Sequence, residues 1–440
     1  MLIFNPADKV IMQLLGTQSE KTGKIIRPLK WSLKIPSDNG IILYNFLTGE
    51  GIIFENETDI GENSEYLFSR YFFVYEDHDD LKLVNELRSA VRLINRKEEI
   101  TSYKILTTTD CNARCSYCYE LGMKREDMSI ETAGRVVDYI KNNCGGKRIT
   151  LAWFGGEPLL NTLVIDHICT EMIKAGIEYK SVMTSNGYLF TPEMISRSKE
   201  LWRLNNIQIT LDGTRDNYNR IKAYVAADED PYNRVMDNIK DLTDQEIHVN
   251  IRLNMSLDNQ RDLCDLAAEL GDRFSGNDHL SVYASGLFQE TEKKGNAEDT
   301  KRLYEGLGML TKLLLKKGLG KKNIKKLKLR TSACMADGDN HRGISPSGML
   351  MKCEHHIFTE LTGDISSDKE DVTLLNEWKE TLPYGDICSD CPVLPMCYKL
   401  KKCPVSHICG KEEKEQYIDS MKDTITALYN GYLEDPEKNI

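Results

Sequence analysis

The chain has 440 residues, 40% of them hydrophobic and 28% charged, with a net charge of −11 and a mean hydropathy of −0.44. That length predicts two or three domains, and the acidic balance excludes broad nucleic-acid binding, which needs basic surface against phosphates. No apolar run approaches the ~18 residues of a membrane span, and the opening Met-Leu-Ile-Phe-Asn-Pro lacks the basic and apolar regions of a secretory signal, so the cytoplasm is the expected compartment.

Residues 1–100 read as a small α+β module. Ile41–Phe46 and Gly51–Phe54 are two strand signals joined through Leu47-Thr48-Gly49-Glu50, a hairpin pattern. A helix is predicted over Asp80–Ile94, with Leu81, Val84, Leu87, Val91 and Ile94 on one face.

Residues 101–310 alternate between strands and helices. Strands are predicted at Tyr103–Thr108, Ile149–Phe154, Ser181–Thr184, Ile207–Leu211, Val249–Asn254 and Leu280–Ala284. Ser129 is a helix N-cap, and Thr191-Pro192 supplies a cap followed by proline in the first turn. Repeated βα units imply a parallel sheet with helices outside. Six units fall short of the eight in a closed barrel, so an α/β fold with an open or partial (β/α)6 barrel is expected, its active groups at the C-terminal ends of the strands.

Residues 311–440 begin with a lysine-dense stretch that includes Lys316, Lys317, Lys321, Lys322, Lys325, Lys326 and Lys328. Such a stretch is read as a solvated face or as a patch for an acidic peptide. Seven cysteines then fall in 76 residues, Cys334 to Cys409, in sequence poor in periodic structure. Ligand bonds are expected to replace a hydrophobic core there. Cytosolic thiols stay reduced, so cysteines clustered at short spacing point to metal rather than disulfides. Cys144, Cys169 and Cys264 stand alone in predicted helices as packing residues.

Directly after the first core strand come Cys111, Cys115 and Cys118, spaced C-x3-C-x2-C, with Tyr117 before the last. Three thiolates in one loop suit an Fe–S cluster or zinc. A structural zinc site closes with a fourth ligand, whereas three ligands on a four-iron cube leave one iron open to bind a further molecule. This motif resembles that of the radical S-adenosylmethionine (SAM) superfamily. Three further segments are similar to that family's motifs in order: Gly155-Gly156-Glu157-Pro158, Thr184-Ser185-Asn186-Gly187 and Thr210-Leu211-Asp212-Gly213, the last with threonine in place of the usual serine. The resemblance implies a [4Fe–4S] cluster on the three cysteines and SAM held by Tyr117, Gly155, Gly156, Glu157, Ser185, Asn186, Asp212 and Arg252.

The second cysteine field reads Cys334-x13-Gly348-x4-Cys353, then Cys388-x2-Cys391-x5-Cys397-x5-Cys403-x5-Cys409. It resembles the SPASM extension of radical SAM enzymes, with five residues where the family has three between Cys397 and Cys403. That likeness implies two auxiliary [4Fe–4S] clusters, one on Cys334, Cys353 and Cys403 and the other on Cys388, Cys391, Cys397 and Cys409. The fourth site of the first is left to His341, His355, His356 or a substrate thiolate. Glu354 follows Cys353 and stands near the place where sulfatase-maturing relatives carry an aspartate base; a solvated carboxylate is the plainer reading.

The resemblance thus implies three clusters, SAM, an electron donor such as flavodoxin or ferredoxin, and a precursor peptide. The first hundred residues have the size of the winged-helix-like module by which relatives capture a leader peptide; a stabilising cap is the alternative. The expected activity is cross-linking, as thioether or carbon–carbon bond, of a ribosomally made peptide. Formylglycine formation on a sulfatase is an alternative, and a non-catalytic zinc-stapled peptide-binding protein is another.

Overall fold

A computed structural model describes residues 1–18, 24–97, 99–226, 230–287, 297–320, 327–367 and 369–434. Lys321, Lys322, Lys325 and Lys326 of the lysine stretch lie outside them. Contacts divide the chain into two units, each built from separated segments. One takes residues 1–96, 324–333 and 381–440; the other takes 97–323 and 334–380. Composition separates the chain into consecutive segments, whereas packing joins the first segment to the last.

The first unit opens with β1 (Leu2–Asn5), α1 (Lys9–Leu15), β2 (Ile26–Pro28), β3 (Ser32–Ser37), β4 (Gly40–Asn45) and β5 (Glu50–Phe54). Then follow α2 (Glu57–Glu62), α3 (Ser64–Ser69), β6 (Phe73–Tyr75) and α4 (Asp80–Ile94). The expected hairpin is β4–β5, with Asn45 opposite Glu50. Its turn is set by Asn45 Oδ1, which accepts from the N–H groups of Leu47 and Thr48, an Asx-type local bond. Strands β1 and β3 flank the hairpin, giving the antiparallel order β1-β5-β4-β3. In α4 the buried face is Val84, Leu87, Arg88 and Val91. Leu81 and Ile94, expected on that face, are 37% and 59% exposed; they lie in the first and last turns of the helix.

Phe4 and Tyr44 of this sheet, with Phe46 just after β4, share one apolar cluster with Val393, Met396, Ile425 and Tyr429. The last two belong to the C-terminal helix Lys411–Glu434, and Phe4 meets Tyr429 edge-on at 5.3 Å between ring centroids. A 24-residue helix contradicts the expectation that the tail lacks periodic structure. Its apolar stripe is thin and interleaved with charges, so composition hides it.

The second unit is an α/β fold. Its strands β7 (Ser102–Thr108), β8 (Ile149–Gly155), β9 (Tyr179–Ser185), β10 (Leu204–Leu211), β11 (His248–Met255) and β12 (Leu280–Gly286) are parallel neighbours in chain order. Helices α5 (Ile130–Asn143), α6 (Thr162–Lys174), α7 (Pro192–Glu200), α8 (Arg215–Lys222), α9 (Pro231–Asp244), α10 (Gln260–Phe274) and α11 (Ala297–Lys316) alternate with or follow them. Ser129 accepts from Thr132 N–H and Thr191 from Met194 N–H, the two caps expected. Val136 and Ile140 of α5, Ile165 and Ile168 of α6, and Leu263, Leu266 and Leu270 of α10 are fully enclosed in one core. Each such side chain contributes about 1.5–3 kcal/mol.

Among the described residues the sheet does not close on itself. Beyond β7 it continues through β13 (His341–Ile344), β14 (Met349–Met351) and β15 (Leu361–Asp364), to nine strands, with the short α12 (Val372–Glu377) after them. β13 runs parallel to β7 and the last two antiparallel. These strands lie in sequence expected to be irregular. They carry His341 and Arg342 among three or four residues each, too short and polar for a periodic signal, yet all four residues of β13 are buried.

Candidate active site at the strand ends

The loop after β7 is fixed by the chain's own hydrogen bonds. Asp110 N–H donates to Thr108 Oγ1 at 2.9 Å and Cys111 N–H to Asp110 Oδ1 at 2.8 Å. Gly156 N–H reaches Thr108 O at 3.1 Å and Glu157 N–H reaches Asp110 O at 2.9 Å. This approach of backbone to backbone demands glycine. A Cβ on Gly155, whose φ is +129°, would stand 2.0 Å from Thr108 O, and one on Gly156 would stand 2.2 Å from Asp110 O. The paired glycines are therefore where the second strand locks the cysteine loop.

Glu157 is fully enclosed. Its carboxylate accepts from Ser185 Oγ (2.8 Å), Asn186 N–H (2.8 Å) and Leu159 N–H (3.1 Å), tying the end of β8 to the end of β9. Burial pushes its acid up to about 7, against the pull of those donors and of Lys222. Asn186 Nδ2 donates to Asn112 Oδ1 at 2.7 Å, back into the cysteine loop. Glu157, Ser185 and Asn186 thus form one brace, and their side chains are spent largely on each other.

Tyr117 and Asp212 meet in a second network. Tyr117 Oη donates to Asp212 Oδ1 at 2.7 Å, and Asn254 Nδ2 donates to the same oxygen at 3.0 Å. Lys222 Nζ lies 2.9 Å from Asp212 Oδ2 and donates to Thr210 Oγ1 at 2.7 Å. Asn259 Nδ2 bonds Asp212 O and Asn254 O. Lys222, Asn254 and Asn259 belong to no motif. Lys222 ends α8 as a lysine at a helix C-terminus ordinarily does, and no sequence signal marks it as enclosed.

Burial pushes the Cys111 thiol up to about 12, with Glu157 and the other two sulfurs adding to the shift. Burial also raises Cys115 and Cys118. Three desolvated sulfurs that repel one another as thiolates are a donor set that a metal cation stabilises. Two buried donors lack hydrogen-bond partners among the described residues, Asn112 Nδ2 of the cysteine loop and Arg252 Nε of β11. Arg252 otherwise reaches Ser285 Oγ at 3.3 Å, leaving a guanidinium edge suited to a carboxylate. Among the described residues no three His, Cys, Asp or Glu side chains converge on the position of a single ion; a four-iron cube holds its thiolates farther apart.

Glu354 is an ion-pair partner. Lys104 Nζ of β7 donates to its Oε1 at 2.6 Å and lies over the Phe154 ring. Burial raises its acid, but the Lys104 ammonium outweighs that and holds it below its usual value. Cys334 and Cys353 belong to this unit, whereas Cys388, Cys391, Cys397, Cys403 and Cys409 belong to the other. Of the candidate histidines, His341 is buried beside Ser102 Oγ (3.3 Å) and His355 stacks on Tyr119 at 4.0 Å.

Residues 105–270 match the sequence profile of the Radical SAM superfamily. That stretch is a radical SAM domain, which places the chain among enzymes. The chain is similar to the radical SAM cyclopropyl synthase TigE of Paramaledivibacter caminithermalis, 26% identical over 166 residues, which cover 32% of this chain and 34% of that protein. It is similar to a probable GTP 3',8-cyclase of Methanococcus maripaludis, 29% identical over 119 residues, 26% of this chain and 37% of the relative. The chain spans about a third of the length of the first curated relatives it matches, 34% and 38%. Its fold is shared with anSMEcpe, solved with bound AdoMet and a Cp18Cys peptide, at a TM-score of 0.58, 15% identity, and coverage of 76% of this chain and 99% of that one. Streptococcus suis SuiB follows at a TM-score of 0.50, 14% identity, and coverage of 89% and 99%. The family match supports SAM and a [4Fe–4S] cluster as cofactors of this domain.

Proposed function

We propose that the chain is a radical SAM peptide maturase that installs a thioether or carbon–carbon cross-link in a ribosomally made precursor peptide. What supports the radical step is a loop of three part-buried cysteines locked against a braced Gly-Gly-Glu turn at the ends of β7 and β8, together with Arg252 Nε of β11, a buried donor with no hydrogen-bond partner among the described residues. When bound, the first cluster and SAM supply the adenosyl radical that removes a substrate hydrogen, and the auxiliary clusters supply an acceptor for the electron left over. Cys111, Cys115 and Cys118 hold the first cluster. Arg252 would orient the SAM carboxylate, and the Glu157–Ser185–Asn186 brace ties the end of β8 to the end of β9 beside it.

The peptide reading draws on the second cysteine field and on the antiparallel sheet of the first unit. Its outer strands β1 and β3 each have one paired side in that sheet, the arrangement that main-chain strand addition uses. The electron donor is a flavodoxin or ferredoxin. Anaerobic reconstitution with a low-potential reductant tests the whole. We expect roughly twelve irons per chain, SAM-dependent 5'-deoxyadenosine, and a precursor peptide lighter by two hydrogens. One to three zincs without deoxyadenosine would end the enzyme reading, and formylglycine on a sulfatase would end the cross-linking one.

A further inference from the structure

Arg88 is a buried cation answered by no carboxylate among the described residues. It stands on the inner face of α4 at 6% exposure, and most of its donors go to main chain. Nε donates to Arg330 O (3.1 Å), and Nη2 to Leu394 O (3.0 Å), Pro395 O (3.1 Å) and Cys397 O (2.7 Å). Nη1 bonds the Tyr384 hydroxyl, and the rings of Tyr384 and Tyr398 lie 5.9 and 5.4 Å from the guanidinium. A second cation, Lys399 Nζ, sits 3.2 Å from Cys409 Sγ and 2.7 Å from His407 O. Tyr384, Cys388, Cys397, Lys399 and Cys409 line one cavity. All of these residues fall in one unit.

Leaving an ion buried without a counter-charge costs several kcal/mol, so an unanswered guanidinium marks a place where negative charge is held. A four-iron cube with four thiolates is a net anion, and its potential is set by net charge, by hydrogen bonds to its sulfurs and by exposure. We propose that Arg88 and Lys399 are the charge-compensating pair of an auxiliary cluster on Cys388, Cys391, Cys397 and Cys409. Arg88 acts as a positioning residue from the N-terminal segment, fixing the backbone that carries Cys397. Lys399 bonds the Cys409 sulfur, and the two charges raise the reduction potential of this cluster above what the cysteines alone would give. The inference rests on the cluster reading above. It also makes the first hundred residues part of the cluster's scaffold, beyond any role in capturing a peptide.

The test uses the full chain, reconstituted without oxygen, with iron and sulfide analysis and a potentiometric titration followed by electron paramagnetic resonance. Cys391→Ala is expected to lose about four irons; if it keeps them all, the cluster reading itself fails. Lys399→Met is expected to keep its iron while one midpoint potential moves negative and the others stay, with Lys399→Arg returning it. Arg88→Met is expected to move the same midpoint. Should Arg88→Met not fold, the lysine pair decides. Loss of iron in Cys391→Ala together with unmoved midpoints in the cation variants would overturn the proposal.

Discussion

Lys222 Nζ and Asp212 Oδ2 stand 2.9 Å apart with side chains 2% and 1% exposed, directly beneath the cysteine loop, where Arg114 N–H bonds Lys222 O at 2.8 Å. Thr210, Tyr117 and Asn254 satisfy what remains of the pair. Removing one partner of such a pair leaves an uncompensated buried charge and costs about 3–5 kcal/mol. We expect Lys222→Met to lose that much stability in denaturant titration of the reconstituted protein. Lys222→Met combined with Asp212→Leu is expected to regain most of it. A single variant as stable as the parent would refute the pairing.

The approach of β8 to the cysteine loop gives a steric prediction. A methyl on Gly156 meets the Asp110 carbonyl at 2.2 Å, and backbone on both sides leaves little to yield. Overpacking of this kind costs about 1–3 kcal/mol, and here the strain falls on the loop that presents Cys111. Gly156→Ala is expected to reduce iron bound at the first cluster as well as stability. Gly61→Ala, where a Cβ meets nothing within 4 Å, is expected to be neutral or stabilising by up to about 1 kcal/mol. Equal iron content in the two variants would remove the steric argument.

Acid sensitivity of the first unit is expected to centre on Asp80. Burial raises its acid, but His78, Arg27 and the Lys30 N–H outweigh that and hold it well below the usual carboxylate range. A depressed acid adds stability that is complete above the unfolded-state value of about 3.9 and is lost as pH falls further, on the order of 2 kcal/mol for a shift of this kind. Asp80→Asn is expected to be less stable than the parent at pH 7 and to lose less on going from pH 5 to pH 3. Parallel curves of unfolding free energy against pH would assign the acid response elsewhere.

What was legible in the sequence follows the physics of each element. Strands such as β10 and β11 alternate buried apolar residues with half-buried polar ones, and helices with strong caps lie among the strands, so local pattern and tertiary burial point the same way. The cysteine loop is legible because ligand spacing is itself local. Strand β13 is different: His341 and Arg342 read as surface, and only pairing with β7 buries them. Lys222 is hidden for the same reason, since its environment is made by Asp212 and Tyr117, 10 and 105 residues away. The union of the first segment with the cysteine-rich tail rests on Phe4, Tyr44, Val393 and Tyr429 sharing a core, a long-range fact that no periodicity encodes.

Glu354 carries the remaining prediction. It follows a cluster-type cysteine, but Lys104 Nζ at 2.6 Å keeps its carboxylate ionised and occupied. A general base contributes typically 10²–10⁴-fold, and its replacement by an amide removes that contribution from product formation while leaving SAM cleavage running. An ion-pair partner behaves otherwise. Glutamine retains an oxygen for the Lys104 ammonium, so Glu354→Gln is expected to lower peptide product by less than about tenfold and to leave the ratio of 5'-deoxyadenosine to product near that of the parent. Lys104→Met, which strands the carboxylate, is expected to be the more damaging of the two in thermal unfolding. A hundredfold loss of product in Glu354→Gln with undiminished 5'-deoxyadenosine would instead make Glu354 the base, with Lys104 as the group that orients it.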